Sequence, residues 1–139
     1  MLPELAEEAW DAKLTAALEA HLAETERHVK NVKAAFKTIG EKPKAGKCPA
    51  IKALKKEHDR FVAHQNPNRP ILDTFIAIAV IRAEHYEIAA YTALITLADA
   101  LAEPKASTLL QRNLKQEIAT LEKVTRIATR FAKKMPTTT

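Results

Sequence analysis

The stretch ILDTFIAIAVIRAEHYEIAAYTALITLADAL, residues 71–101, decides the fold. It runs without proline or glycine, and its apolar side chains recur on every face at helical spacing, the pattern of a helix buried all round. Between Asp73 and Asp99 its only charged residues are Arg82, Glu84 and Glu87. A long helix of this kind needs other long helices to cover it.

The flanking sequence supplies them. Asp11 is a suitable N-cap for a helix over residues 12–39, which stops at Gly40, a good C′ residue. GEKPKAGKCPA (40–50) holds both glycines and two prolines, so it is a loop. A shorter helix is expected over 50–64, ending at the turn-rich NPNRP (66–70). Glu103-Pro104 closes the 71–101 helix, and a last helix runs over 105–134, followed by the tail MPTTT (135–139), expected to be frayed. Residues 3–9 form only a helical stub. Helices of about 28–31 residues are roughly 42–46 Å long, and such helices in one domain make an antiparallel bundle. The 40–70 segment is long enough to cross from one end to the other, as in ferritin-like connectivity. The expectation is one all-α domain over 1–139, a ferritin-like bundle with a long crossover between its second and third helices and its first helix largely missing.

Composition agrees and excludes other classes. The chain has 139 residues, 47% hydrophobic and 28% charged, with only two glycines and 5% aromatics, too few turn residues for a β-sandwich or barrel. The single cysteine, Cys48, rules out a disulfide framework or a cysteine-ligated zinc or iron–sulfur site within one chain. There is no Gly-rich phosphate loop and no GxSxG. No apolar run suits a membrane span, and MLPELAEEAW is acidic where a signal peptide is basic, so a cytoplasmic protein is expected. The net charge of +5 divides into −5 over residues 1–27, +7 over 28–64, −3 over 65–104 and +6 over 105–139. The basic blocks suit a polyanion such as nucleic acid, although solvated lysine faces explain them more simply.

Ionisable residues at core positions carry the functional signal. Glu87 interrupts the column Val80–Glu87–Leu94–Leu101, and Glu84 lies one turn back on the same face. Glu117 interrupts Leu110–Glu117–Val124–Phe131. A lone buried carboxylate costs several kcal/mol unless compensated. On the helix from 12 to 39 the apolar stripe is Leu14, Leu18, Leu22, Thr25, Val29, Val32, Phe36 and Ile39, and His21, Glu24 and His28 fall within a sector of about 60° at its edge. Carboxylates and imidazoles converging from facing helices are how bundles hold di-iron and di-manganese pairs. The alternative is an internal ion-pair network, Arg82 with Glu84 or Glu87 and Arg112 near Glu117. His58, His64 and His85 are read as structural, and Tyr86 and Tyr91 as packing residues near the carboxylates. A haem or small-ligand bundle finds no methionine–histidine pair at core spacing.

HLAETERHV (21–29), GEKPKAGKC (40–48), RAEHYEIAAY (82–91) and LKQEIATLEKVT (114–125) resemble the YciF-like stress-response proteins of the ferritin-like, rubrerythrin-related superfamily. The resemblance covers residues 2–132 in order, and EHYEIAAY is its most distinctive motif. It implies a four-helix ferritin-like bundle, usually dimeric, linked to general stress and without a settled activity. Rubrerythrin-type sites use a glutamate from the first helix, ExxH from the second, ExxE from the third and ExxH from the fourth. Glu84 and Glu87 fill the ExxE, and Glu24 and Glu117 match the glutamates of the second and fourth helices. Arg27 and Thr120 stand at the histidine positions, with His28 one residue beyond the first of these. The first-helix ligand has no counterpart, since the chain begins near that helix's end.

Two functions compete. In one, Glu84, Glu87, Glu117 and Glu24, with His28 or His21 as nitrogen donors, hold iron or manganese. In the other, the metal site has been lost, Arg27 lies among the glutamates, and an oligomeric stress protein binds a partner or polyanion through its basic faces. A homodimer or higher homo-oligomer, without a membrane partner, is expected in both.

Overall fold

The computed structural model describes residues 1–135; positions 136–139 of the tail expected to fray lie outside the described residues. Five helices follow one another: α1 (Leu2–Glu8), α2 (Ala12–Thr38), α3 (Pro49–Gln65), α4 (Arg69–Ala100) and α5 (Pro104–Ala132). Most helix starts and two helix ends have a local cause. Asp11 caps α2, accepting from the Lys13 and Leu14 amides, and Asn68 caps α4 by accepting from Ile71. Proline stands in the first turn of α1, α3, α4 and α5, where a missing N–H costs nothing. Gly40 turns the chain out of α2 at φ 76°, and Asn66 ends α3 in the left-handed region at φ 41°.

α2, α4 and α5 form the body of the bundle. α5 runs antiparallel to both of the others: Arg130 meets Asp11 at one end of the pair with α2, and Asn113 meets Asn31 near the other. α2 and α4 run parallel, since Asp73 contacts residues 10–11 while Tyr91 packs edge-on against His28. The crossover through residues 39–68 and α3 carries the chain back along the bundle and so sets α2 and α4 in the same direction, as the expected ferritin-like connectivity requires.

One core cluster holds Leu5, Leu14, Leu18, Ile76, Val80 and Val124, all nearly inaccessible to solvent. Leu5 ties the seven-residue α1, too short to be helical alone, into that core. α1 covers only one end of the slot between α2 and α4. Contrary to the expectation from its composition, α4 is accordingly not buried all round: Leu94, Leu97 and Leu101 are exposed, lining an apolar groove with Val32, Phe36 and Ile39 of α2. Val29 and Ile39, placed in the α2 stripe by spacing, are exposed for the same reason.

Asp73 was not singled out by its sequence context. It is buried and accepts hydrogen bonds from the Trp10 amide at 2.8 Å and the Asp11 amide at 3.0 Å. It thereby fixes the α1–α2 turn against α4.

Candidate metal centre

Five of the six residues marked by their positions in the apolar stripes line one cavity, and the sixth, Glu24, touches His21 from outside it. α2 contributes His21, Glu24 and His28, α4 contributes Glu84 and Glu87, and α5 contributes Glu117. His21, His28, Glu84 and Glu117 are buried to 4% exposure or less, so the two histidines expected at a stripe edge are core residues. His21 Nε2 lies 3.0 Å from Glu84 Oε1 and 3.6 Å from Glu117 Oε2. His28 Nδ1 lies 3.0 Å from Glu117 Oε1. One donor atom each from His21, Glu84 and Glu117 falls within 4.8 Å of the others. Glu24, more exposed, approaches His21 Nδ1 at 3.5 Å. Glu87 lines the same cavity, of about 550 Å³, whose lining also includes Val32 and Phe36 of α2, Met1 and Leu2 at the start of α1, Ile51 of α3, and Lys33 and Lys44.

A ring of polar side chains orients the histidines. Thr120 Oγ1 sits 3.1 Å from His21 Nδ1 and also reaches Glu24. Gln116 Oε1 lies 2.8 Å from His28 Nε2. Fully buried Asn113 donates to the His28 carbonyl and to the Tyr91 hydroxyl, and accepts from Asn31. Thr120, at the position where rubrerythrin-type sites have a histidine, instead holds the imidazole of His21 from another helix. Asn113 could have been noticed, since it lies four residues before Glu117 on the same buried face. Gln116 gives no signal in the sequence.

The arginine network does not form. Arg82 makes a bidentate pair with Glu57 of α3, both nitrogens at 2.8 Å, on the surface. Arg112 and Arg27 are exposed, so no guanidinium enters the cluster from them. His58, read as structural, is buried and bonded to Glu8 at 2.7 Å, stacked on Phe75. His64 and His85 are exposed. Of the two tyrosines, Tyr91 belongs to the cluster, its hydroxyl pushed up to about 12 by burial; Tyr86 is exposed and meets the Cys48 thiol at 3.4 Å.

Proton affinities diverge sharply across the cluster. Burial, reinforced by the Glu117 charge, pushes Glu84 up from the ordinary 4.5 to about 7. Burial also pushes Glu117 up, but the His28 ring and the proton-carrying Glu84 outweigh it and hold Glu117 below the usual carboxylate range. Glu87 is raised by burial and then by Glu117. Burial alone would lower His21, yet the hydrogen bond to Glu84 and the charges of Glu84 and Glu117 hold it above 6.5. Even so, Glu84 Oε2 and Glu117 Oε2 are buried with no hydrogen-bond partner. Buried orphan acceptors are costly and rare, and two carboxylate oxygens at one point mark a site built for something more than packing.

An all-helical bundle with inward-facing carboxylates and imidazoles at mid-height is the class that this architecture and cluster define. The chain belongs to the DUF892 family, described as a domain of unknown function, whose model matches residues 1–135. It is 34% identical to the protein YciF of Escherichia coli over 128 residues, 91% of this chain and 76% of the relative. The crystal structure of the E. coli stress protein YciF superposes with a TM-score of 0.88 at 33% identity, covering 96% of this chain and 84% of that one. The YcfI structure from Rhodopseudomonas palustris gives 0.85 at 35% identity, over 89% and 78%. Among the described residues no helix is long and apolar enough to cross a membrane.

Proposed function

We propose that the chain is a ferritin-like stress protein that binds divalent iron or manganese inside its bundle. His21, Glu84 and Glu117 would be the primary ligands, with Glu24, Glu87 and His28 at the margins for a second ion. The observation that carries this reading is the convergence of three buried donor residues with orphaned oxygens on Glu84 and Glu117. Carboxylate oxygen with imidazole nitrogen is a donor set suited to iron and manganese, and no thiolate is present to favour softer ions. A dinuclear carboxylate-bridged pair would supply redox chemistry with dioxygen or peroxide. The chain's own part is separate from that chemistry. Glu84 surrenders its proton to accept a cation, Thr120 and Gln116 fix the two imidazoles, and the cavity gives a small oxidant a route to the cluster.

One observation favours a second reading, a metal-free bundle. Glu84, raised to about 7, can hold its own proton, and the His21 and His28 rings lie 3.0 Å from oxygens of Glu84 and Glu117, so the cluster has internal partners without a cation. Cobalt(II) titration separates the two. Visible absorption saturating at one or two equivalents, and weakened about tenfold or more in His21→Ala with the fold intact by circular dichroism, is the outcome expected. A spectrum identical to free cobalt would establish the metal-free network instead.

A further inference from the structure

The side of α5 turned away from Glu117 holds a second organised feature, independent of the metal cluster. At 100° per residue every cation of α5 falls on one arc of about 100°: Lys105, Arg112, Lys115, Lys123, Arg126 and Arg130. Lys133 and Lys134 continue the arc past the helix end. The other outward flank of α5 is almost uncharged, with Gln111, Ile118, Thr125 and Thr129, and Glu122 standing alone between the two. A face designed only for solubility intersperses lysine with glutamate on both flanks; here the signs are segregated.

The neighbouring edge of α2 extends the same surface. Lys13, Ala16 and Ala17 join Lys123, Arg126, Ile127 and Arg130 around a cleft of about 460 Å³ between the two helices. Further along, that edge of α2 carries Ala20, Ala23 and Arg27, with one acid, Glu24, which is turned to Thr120 and His21, while Glu19 and Glu26 fall on the opposite flank. Among the described residues only two of these cations have acidic partners: Arg130 at 2.6 Å from Asp11, and Arg126 at 3.8 Å from Glu122. Lys105, Arg112, Lys115, Lys123 and Arg27 stand exposed with no carboxylate within salt-bridge distance.

We propose that this α5–α2 face is a docking surface for the phosphate backbone of duplex nucleic acid, bound without sequence preference. From Lys105 to Lys134 the arc spans roughly 44 Å at 1.5 Å per residue, the axial length of about a dozen base pairs. The arc bears no aromatic side chain on which unpaired bases could stack, which favours a duplex over a single strand. It also bears no large apolar residue to bury in a lipid headgroup layer, which disfavours a membrane surface. Alanines along the α2 edge let a backbone approach closely and read no bases.

The test is fluorescence anisotropy with a labelled duplex of about 30 base pairs and arbitrary sequence, titrated with the full chain at several sodium chloride concentrations. With about five phosphates neutralised, log K should fall against log salt with a slope near −4 to −5. Lys123→Glu/Arg126→Glu should weaken binding at least tenfold at low salt. Lys52→Glu/Lys56→Glu on α3 makes the same change in net charge away from the face and should leave binding within about twofold; circular dichroism confirms that both variants fold. Binding absent at 50 mM salt, an equal loss in the α3 variant, or tighter binding to single strands or anionic vesicles than to the duplex would each overturn the proposal.

Discussion

Glu84→Gln, stripped of metal at pH 8, is expected to melt several degrees above the wild type and to have lost divalent-cation binding. Glu84 is 1% exposed, and its folded-state proton affinity is raised to about 7 from 4.5. A carboxyl so raised contributes stability that is complete below pH 4.5 and is lost as pH rises through 7. At pH 8 the ionised side chain is a net cost, with a ceiling of about 3 kcal/mol at 1.36 per pH unit. His21, also raised, adds to the loss in the same direction above 6.5. Glu117 acts oppositely, losing stability only in acid, below its ordinary range. Glutamine keeps the shape and hydrogen bonds of the protonated acid without the charge. Scanning calorimetry of both proteins from pH 5 to pH 8 checks this. The two curves should lie together at pH 5 and separate as pH rises; a Glu84→Gln protein less stable than wild type at pH 8 would contradict the charge assignment. A bound cation replaces the proton, so added manganese should stabilise the wild type most at pH 8 and leave Glu84→Gln unmoved.

Asp73→Ala should be strongly destabilising for a polar change outside the cluster, by about 2–4 kcal/mol. Its carboxylate accepts two charge-assisted bonds from the Trp10 and Asp11 amides, at the point where α1, α2 and α4 meet. Truncation leaves two donors unsatisfied and an opening beside the core. Denaturant unfolding should show the midpoint falling with the slope unchanged. Asp73→Asn retains one acceptor and should recover about half of the loss. A loss below 1 kcal/mol in Asp73→Ala would show that water replaces the carboxylate.

Much of this architecture is legible in the amino-acid order. The prolines at 49, 70 and 104, Asp11 and Gly40 set helix ends within a residue or two of the observed ones, because caps and breakers act locally. Glu84, Glu87 and Glu117 announce themselves by interrupting apolar columns, and all three reach the same cavity. Orientation across helices is a different matter. His21 and His28 look like edge residues at 100° per residue, yet the approach of α5 buries them, and only the packed bundle shows it. Arg82 looks like a partner for its sequence neighbours, but α3 offers Glu57 from another element. Thr120 reads as a vacant histidine position and proves to hold the ring of His21 from another helix. α4 reads as wholly buried because composition reports capacity for burial, whereas coverage depends on how much of the slot α1 fills.

The metal content of the chain purified without chelator or affinity metal, measured by mass spectrometry beside Glu84→Ala/Glu117→Ala, tests the central claim most directly. One or two iron or manganese ions per wild-type chain, absent from the double variant, is the predicted result. A wild type that stays metal-free even after reconstitution with either ion would contradict it and leave the cluster an internal proton-sharing network.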